Sequence, residues 1–394
     1  MSNLPRTPDF DVYPVRRRLR SVVVCDGGVL VEWDDGLRSH HHPLWLRENA
    51  ADEDTCHPVT REQRLMLHEI PADTAVVSAA VDAAGALAVR WSTGGESRYH
   101  PGWLRVHSLG AEADRPQLPD RVLWDAALGS ALPRFQAADV LADPDAFARW
   151  ATALYSYGVA IVGGIGTSPG DTAVLPSRVG PIRESNFGRI FDVRTRPDAT
   201  SNAYTAMALP VHVDLATRER MPGLQFLHCL ENETDGGDSL LADGFSIAAK
   251  IEAEAPDAYA ALSTVPLLFA NKAADSDYRF EAPMFRQGPS GGLEEVRWSP
   301  WLRGPVAASF ADTERVYRGL RMAFSMGAQP SSQVRVRLEA GELLCMDNRR
   351  ILHGRTGFDP ASGGRWLRGC YVDREELASQ LRIAARRERA VAHR

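Results

Sequence analysis

Two kinds of hydrophobic patterning divide the chain. Between residues 15 and 108 the apolar residues come in short, β-branched runs, Val22–Cys25, Val29–Trp33, Ala75–Ser78 and Leu87–Trp91. Gly27-Gly28, Asp34-Asp35-Gly36 and Ala84-Gly85 separate them. Runs of this make-up between turn residues predict strands, so 1–108 is expected to be a small β-rich domain. Residues 109–135 are rich in Pro, Asp and Ala and are expected to cross the surface as a linker. Then the period changes. Phe147, Trp150, Leu154 and Tyr155 recur at helical spacing behind Asp143-Pro144, a capping residue followed by a proline suited to the first turn. Val159–Val162 reads as a buried strand, and 224–230, 239–242, 334–338 and 343–346 as further strands. Residues 245–251 and 313–326 are expected to be helices packed outside them, and 381–392 a terminal helix. The second domain, 136–394, is therefore expected to be mainly β with helical inserts.

The candidate chemistry lies in that domain. On an extended segment, His212 and Asp214 project from one face, because strand side chains alternate. His353 would add a second imidazole. Two histidines and one carboxylate with open positions beside them are the ligand set of a non-haem Fe(II) oxygenase. A His-x-Asp pair alone is common and carries little. Its company carries more: Asn202-Ala203-Tyr204 before it, then Leu224–Leu230, Gly236-Gly237-Asp238-Ser239, Asp243-Gly244-Phe245, Gly341–Arg355, Arg365 and Tyr371.

This ordered set resembles the Fe(II)/2-oxoglutarate dioxygenases of the taurine dioxygenase superfamily. More closely, it resembles the gamma-butyrobetaine and trimethyllysine hydroxylase branch, over nearly the whole chain. The resemblance implies a double-stranded β-helix (jelly roll) catalytic domain. It also implies a hydroxylase that uses Fe(II), 2-oxoglutarate and dioxygen. His212, Asp214 and His353 would hold the metal. A 2-oxo acid chelating that metal needs a planar cation for its remote carboxylate, and Arg supplies one. Arg365 follows His353 across the hairpin 359–364 and is expected to turn inward on the adjacent strand; the resemblance assigns it the same role. Arg355 is its rival and is read as a brace. Ser239 is a further candidate donor to the oxo acid. Because Asp214 is present, hydroxylation is favoured over halogenation.

The resemblance further implies an aromatic cage for a trimethylammonium group at Phe187, Phe191, Tyr204 and Tyr371. Each well-placed ring is worth about 0.5–2 kcal/mol by cation–π attraction. Where the branch holds a substrate carboxylate with Asn and Tyr side chains, this chain has Ser201 beside Asn202, Leu215, and the Trp301-Leu302 region. Arg183, Arg189, Arg218 and Arg303 stand in the same regions, with Arg189 the candidate replacement, and Arg suits a phosphonate as well as a carboxylate. The expected substrate is a small gamma-butyrobetaine-like zwitterion. An aminoalkylphosphonate such as a trimethylaminoethylphosphonate, or an amino acid, is the alternative, and desaturation or ring closure remains open. A jelly roll that binds a ligand without turnover is the reading from another class; the intact ligand set and Arg365 argue against it.

In the branch, three cysteines and a histidine of the small domain bind a structural zinc. The matching positions hold Ala50, Asp52, Thr55 and Gly95, and Cys56 with His57 does not make a tetrahedral site. No zinc is expected, and packing is expected to hold the 49–61 loop. The triplet His40–His42 is read as surface residues, since neighbours on a strand face opposite ways.

Composition adds bounds. The chain has 394 residues, 44% hydrophobic and 24% charged, with net charge −6 and no long run of one sign. That argues against a nucleic-acid partner. No apolar run approaches the roughly 18 residues of a membrane span, and Arg16–Arg20 interrupts any signal-peptide core. Five scattered cysteines read as free thiols of a reducing compartment. The expectation is a soluble cytoplasmic protein with no membrane partner; a homodimer is left open.

Overall fold

The computed structural model describes residues 3–195, 205–271, 276–289 and 291–392. The chain divides into two units, Met1–Gln117 with Ala385–Arg394, and Leu118–Ala384.

The first unit is built twice from one pattern. Strands Leu19–Cys25, Gly28–Trp33 and Arg38–His41 form an antiparallel sheet and lead into the helix Pro43–Glu48. Strands Val76–Val81, Leu87–Trp91 and Glu96–Tyr99 do the same before the helix Pro101–Val106. His42 and His100 cap the two helices, each accepting from a backbone N–H of the first turn, and a proline follows each. In each sheet a buried indole donates to a serine on the next strand, Trp33 to Ser39 at 3.0 Å and Trp91 to Ser97 at 2.9 Å. The core joins both copies through Trp33, Leu46, Trp91, Tyr99, Trp103 and Leu104.

The histidine triplet splits as the alternation of a strand requires, but not wholly to the surface. His40 is exposed, while His41 is buried against Ser39, its Nε2 3.0 Å from the hydroxyl. Hydrogen bonds, rather than packing alone, hold the 49–61 loop. Asp52 Oδ1 accepts from the Thr55 N–H at 3.0 Å and its hydroxyl at 2.7 Å, and Asp52 Oδ2 accepts from Ser97 at 2.7 Å. Arg47 donates to Thr55. Two of the four positions at which the resemblance would place zinc ligands, Asp52 and Thr55, thus satisfy each other.

In the second unit, helices lie outside two sheets. The larger runs Phe191–Val193, Arg365–Val372, Leu224–Asn232, Leu343–Asp347, Val159–Gly163, Arg134–Gln136, with Ile182–Arg183 also paired to Arg365–Val372. The smaller runs Leu209–His212, Ile351–Arg355, Ser239–Asp243, Gln333–Val336. Alternation sorts their side chains into three layers. Leu227, Cys229, Leu344, Met346 and Leu367 of the larger sheet meet Leu241, Val334 and Ile351 of the smaller. The opposite face of the larger sheet (Leu224, Phe226, Leu343, Cys345, Val372) packs on Phe147, Trp150 and Leu154 of the helix Pro144–Tyr157, and on Leu377 and Leu381. The outer face of the smaller sheet (Val211, Ala242, Leu352) packs on Phe245, Ile251, Leu262 and Leu320 of three further helices.

The helix Pro144–Tyr157 starts as read, with Asp143 accepting from two first-turn N–H groups. The last helix begins earlier than expected, spanning Arg374–Ala392. The expected linker is not all surface: Trp124 and Leu132 are buried in the layer between the sheets, and the indole donates to the Tyr157 carbonyl at 2.7 Å. Burying one indole there contributes on the order of 2–3 kcal/mol, which the Pro-rich composition around it does not reveal.

Candidate active site

The site grows out of the inward face of both sheets. Along Arg365–Val372 the residues in step with the buried Leu367 include Arg365 and Tyr371. Along Ile351–Arg355, those in step with Ile351 are His353 and Arg355. Gln225 stands in step with Leu227, and Ser239 with Leu241. Polar side chains at positions that alternation sends to the interior are costly unless paired, and here they gather at one region between the sheets.

His212 and His353 are partners across neighbouring antiparallel strands, with ring centroids 4.5 Å apart. Asp214 follows just beyond its strand. Its Oδ1 lies 3.5 Å from His212 Nε2 and 3.6 Å from His353 Nε2. One ligand atom from each of the three lies within 4.8 Å of the others, and among the described residues they are the group of three that could hold a metal.

His212 and Asp214 are held by hydrogen bonds, whereas His353 Nδ1 is buried without a partner. His212 Nδ1 donates to the Pro210 carbonyl at 2.9 Å, which fixes the tautomer and leaves Nε2 as a bare lone pair. Pro210 is tolerated because its strand is the sheet edge, and the register breaks there between Leu209 and His212. Asp214 Oδ2 accepts from the Tyr371 hydroxyl at 2.8 Å and from Gln225 Nε2, which turns Oδ1 to the imidazoles. The buried Asn348 clips the backbone of Asp214 at both ends, accepting from its N–H at 2.8 Å and donating to its carbonyl at 3.1 Å. Burial alone would raise the Asp214 carboxyl, but the neighbouring His353, then His212 and Tyr371, outweigh it and hold it well below the usual carboxylate range. Burial pushes His353 down to about 4, against the pull of Asp214. The histidine therefore stays neutral, as a metal ligand must.

Arg365 is half-buried and donates through Nη2 to the Gly237 carbonyl at 3.1 Å, while its Nε and Nη1 atoms are shielded without a partner. Two orphaned guanidinium donors suit the two oxygens of a carboxylate. Its receiving loop is tied by Arg337, which donates to the Asn232, Thr234 and Gly236 carbonyls. Arg355 is turned to the backbone of Thr205 and Met207, and burial, then the charge of Arg365, lowers it to about 10. Ser239 is buried opposite Arg355 in register.

The aromatic residues form a row. Phe187 and Phe191 lie 5.8 Å apart between ring centroids, and Phe191 and Tyr371 5.1 Å. Tyr371 joins this row to Asp214. Arg189 is exposed on the same hairpin. Tyr204, Ser201 and Asn202 lie outside the described residues. Trp301, named in sequence only as part of a region facing the substrate's anionic end, packs 4.8 Å from the His212 ring, a place the sequence did not foresee. Gln225 and Asn348 were also missed. A lone amide in step with the buried face of an otherwise apolar strand was the available signal for Gln225.

The chain matches the model of the taurine catabolism dioxygenase TauD, TfdA family over residues 114–371. It is 43% identical over 381 residues to a gamma-butyrobetaine dioxygenase of Pseudomonas sp. (strain AK-1), covering 96% of this chain and 99% of that one. It is 27% identical to a dioxygenase, str8, of Strobilurus tenacellus, over 92% of this chain and 88% of that one. It is also 27% identical to the mitochondrial trimethyllysine dioxygenase of Gallus gallus, over 86% and 82%. The ligand set, the orphaned guanidinium and these matches lead to one statement: the chain belongs to the TauD, TfdA family and is an Fe(II)- and 2-oxoglutarate-dependent dioxygenase.

Proposed function

We propose that this dioxygenase hydroxylates an unactivated C–H of a small zwitterion bearing a quaternary ammonium, gamma-butyrobetaine or a close analogue. The observation that carries the reading is Tyr371, which ends the aromatic row and hydrogen-bonds the carboxylate of Asp214. A cation lodged on that row would sit within one side chain of the metal ligands. The name of the Pseudomonas relative, matched over nearly its whole length, supports the same substrate class.

His212, Asp214 and His353 would hold the iron, one oxygen of Asp214 being kept for it by the donors on the other. Bound there with 2-oxoglutarate, Fe(II) would activate dioxygen, the oxidant, so that one of its oxygens enters the substrate and the other succinate, with loss of carbon dioxide. Arg365 would take the remote carboxylate of the oxo acid through Nε and Nη1, and Ser239 is read as a neighbouring donor. Arg355 braces the segment before His212. Phe187, Phe191 and Tyr371, with Tyr204, would receive the ammonium. A trimethylammonium gains most from such walls, because a primary ammonium keeps its hydration and wants acceptors that rings lack. The two facing sheets with the site between them are read as a double-stranded β-helix. No helix among the described residues is long and apolar enough to cross a membrane, and we assign the enzyme to the cytoplasm.

A phosphonate in place of the carboxylate is the second reading. It is favoured by Leu215, which offers no donor where the resemblance calls for Tyr. A panel of trimethylammonium carboxylates, trimethylammonium phosphonates and amino acids, read by succinate release and product mass, tests both. Turnover confined to amino acids without N-methyl groups would refute the proposal.

A further inference from the structure

We infer that Arg218 binds the anionic end of the substrate, an oxyanion of the carboxylate or phosphonate class; this rests on the function proposed above. Arg218 has no carboxylate partner among the described residues, although its neighbours pair freely, Arg183 with Asp373 and Arg220 with Glu375. It is nevertheless fixed. Its Nη2 donates to Asn186 Oδ1 at 2.8 Å, and its guanidinium carbon stacks 3.2 Å from the centroid of the Tyr278 ring. Nη1 and Nε keep their donors for a ligand. A stacked, half-tethered guanidinium loses little freedom on binding, and its planar fork matches an oxyanion.

The loop beneath it is built in advance. Leu215, directly after Asp214, has φ 55°, a left-handed backbone that L residues with a branched side chain rarely adopt. The buried Arg297 holds the loop by donating to the carbonyls of Ala216, Arg218 and Glu219. Position follows from the partner: Asn186 precedes Phe187, the outer ring of the aromatic row. The cation therefore stands at the open end of the row whose inner end is Asp214. The other arginines of the region fit less well. Arg183 is taken up by Asp373 and the carbonyls of Arg220 and Met221, Arg189 is exposed with no side-chain hydrogen bond among the described residues, and Arg303 lies over Phe324.

A strut between hairpin and loop would show the same contacts, so the test must read charge. Dissociation constants are measured by calorimetry on full-length protein loaded with Fe(II) and 2-oxoglutarate without oxygen, for wild type, R218A and R218K. The probes are gamma-butyrobetaine, its methyl ester, 2-(trimethylammonio)ethylphosphonate and 4-aminobutyrate. Wild type should bind the better anion at least about tenfold more tightly than the ester. R218A should lose that preference with ester affinity unchanged, and R218K should recover part of it. The tighter of the carboxylate and phosphonate identifies the oxyanion. Parallel loss for ester and anion in R218A, a preference that survives R218A, or no binding of any probe would overturn the inference. If 4-aminobutyrate binds wild type as well as gamma-butyrobetaine does, still through Arg218, the quaternary-ammonium reading fails while Arg218 keeps its role.

Discussion

His212 and His353 face each other in register across two antiparallel strands, their ring centroids 4.5 Å apart. A slip of one residue would turn one imidazole away from the other, so the metal site depends on how closely these strands meet. Gly354 sets that approach: a Cβ there would come within 2.5 Å of the Leu209 carbonyl. We expect Gly354→Ala to weaken Fe(II) or Mn(II) binding at least about tenfold, measured by titration, with the fold retained by circular dichroism. Unchanged affinity would mean that the pairing has slack.

Asn348→Ala should act on the metal from behind. It removes both hydrogen bonds on the Asp214 backbone and leaves buried groups unpaired, at about 1–3 kcal/mol. Loss of such an orienting partner typically lowers metal affinity by about 10–100-fold. The expected signature is weaker metal binding together with a lower melting temperature of the metal-free protein.

Arg365 and Arg355 should separate by phenotype. Arg365→Leu leaves a bound carboxylate without its partner, at about 3–5 kcal/mol, and should raise the 2-oxoglutarate KM by a hundredfold or more. Arg355→Leu should lower stability and iron occupancy instead, since this side chain grips the Thr205 and Met207 carbonyls. Steady-state kinetics and metal analysis of the two variants decide it; reversed phenotypes would exchange the roles.

The first unit should be acid-sensitive through His41. Burial, then the nearby His40, pushes it down to about 4 from an ordinary 6.5. The folded state therefore holds the neutral ring, while the unfolded chain takes up a proton below pH 6.5. Stability from this group is complete above that pH and is lost as pH falls toward 4, up to about 3 kcal/mol. The melting temperature of metal-free protein should fall across this window, and less steeply in His41→Gln. An equal slope in the variant would place the sensitivity elsewhere.

The convergence of His212, Asp214 and His353 was legible in their types and order, although the strand ends at His212 and Asp214 reaches the group from the turn beyond it rather than by strand alternation. The inward turn of Arg365 was legible from strand alternation, since it is in step with the buried Leu367. Gln225 and Asn348 were not, because their partner is Asp214 and only the folded sheet brings them to it. Trp124 was missed because Pro, Asp and Ala around it mimic a linker, while one indole anchors the segment. The doubled unit at the N-terminus was readable and passed over: His42-Pro-Leu-Trp-Leu-Arg47 returns as His100-Pro-Gly-Trp-Leu-Arg105. The triplet His40–His42 was misjudged in part, since alternation sends its middle member inward.

The substrate claim is tested most directly by a paired assay. Gamma-butyrobetaine and 4-aminobutyrate are each supplied with Fe(II), 2-oxoglutarate and dioxygen, and succinate and product mass are followed for wild type and Phe191→Ala. We expect succinate formation matched by a product one oxygen atom heavier for the trimethylated compound, much slower turnover of the primary amine, and a loss in Phe191→Ala that falls mainly on the trimethylated one. Equal or faster turnover of the primary amine, or succinate formation that neither compound stimulates, would contradict the account.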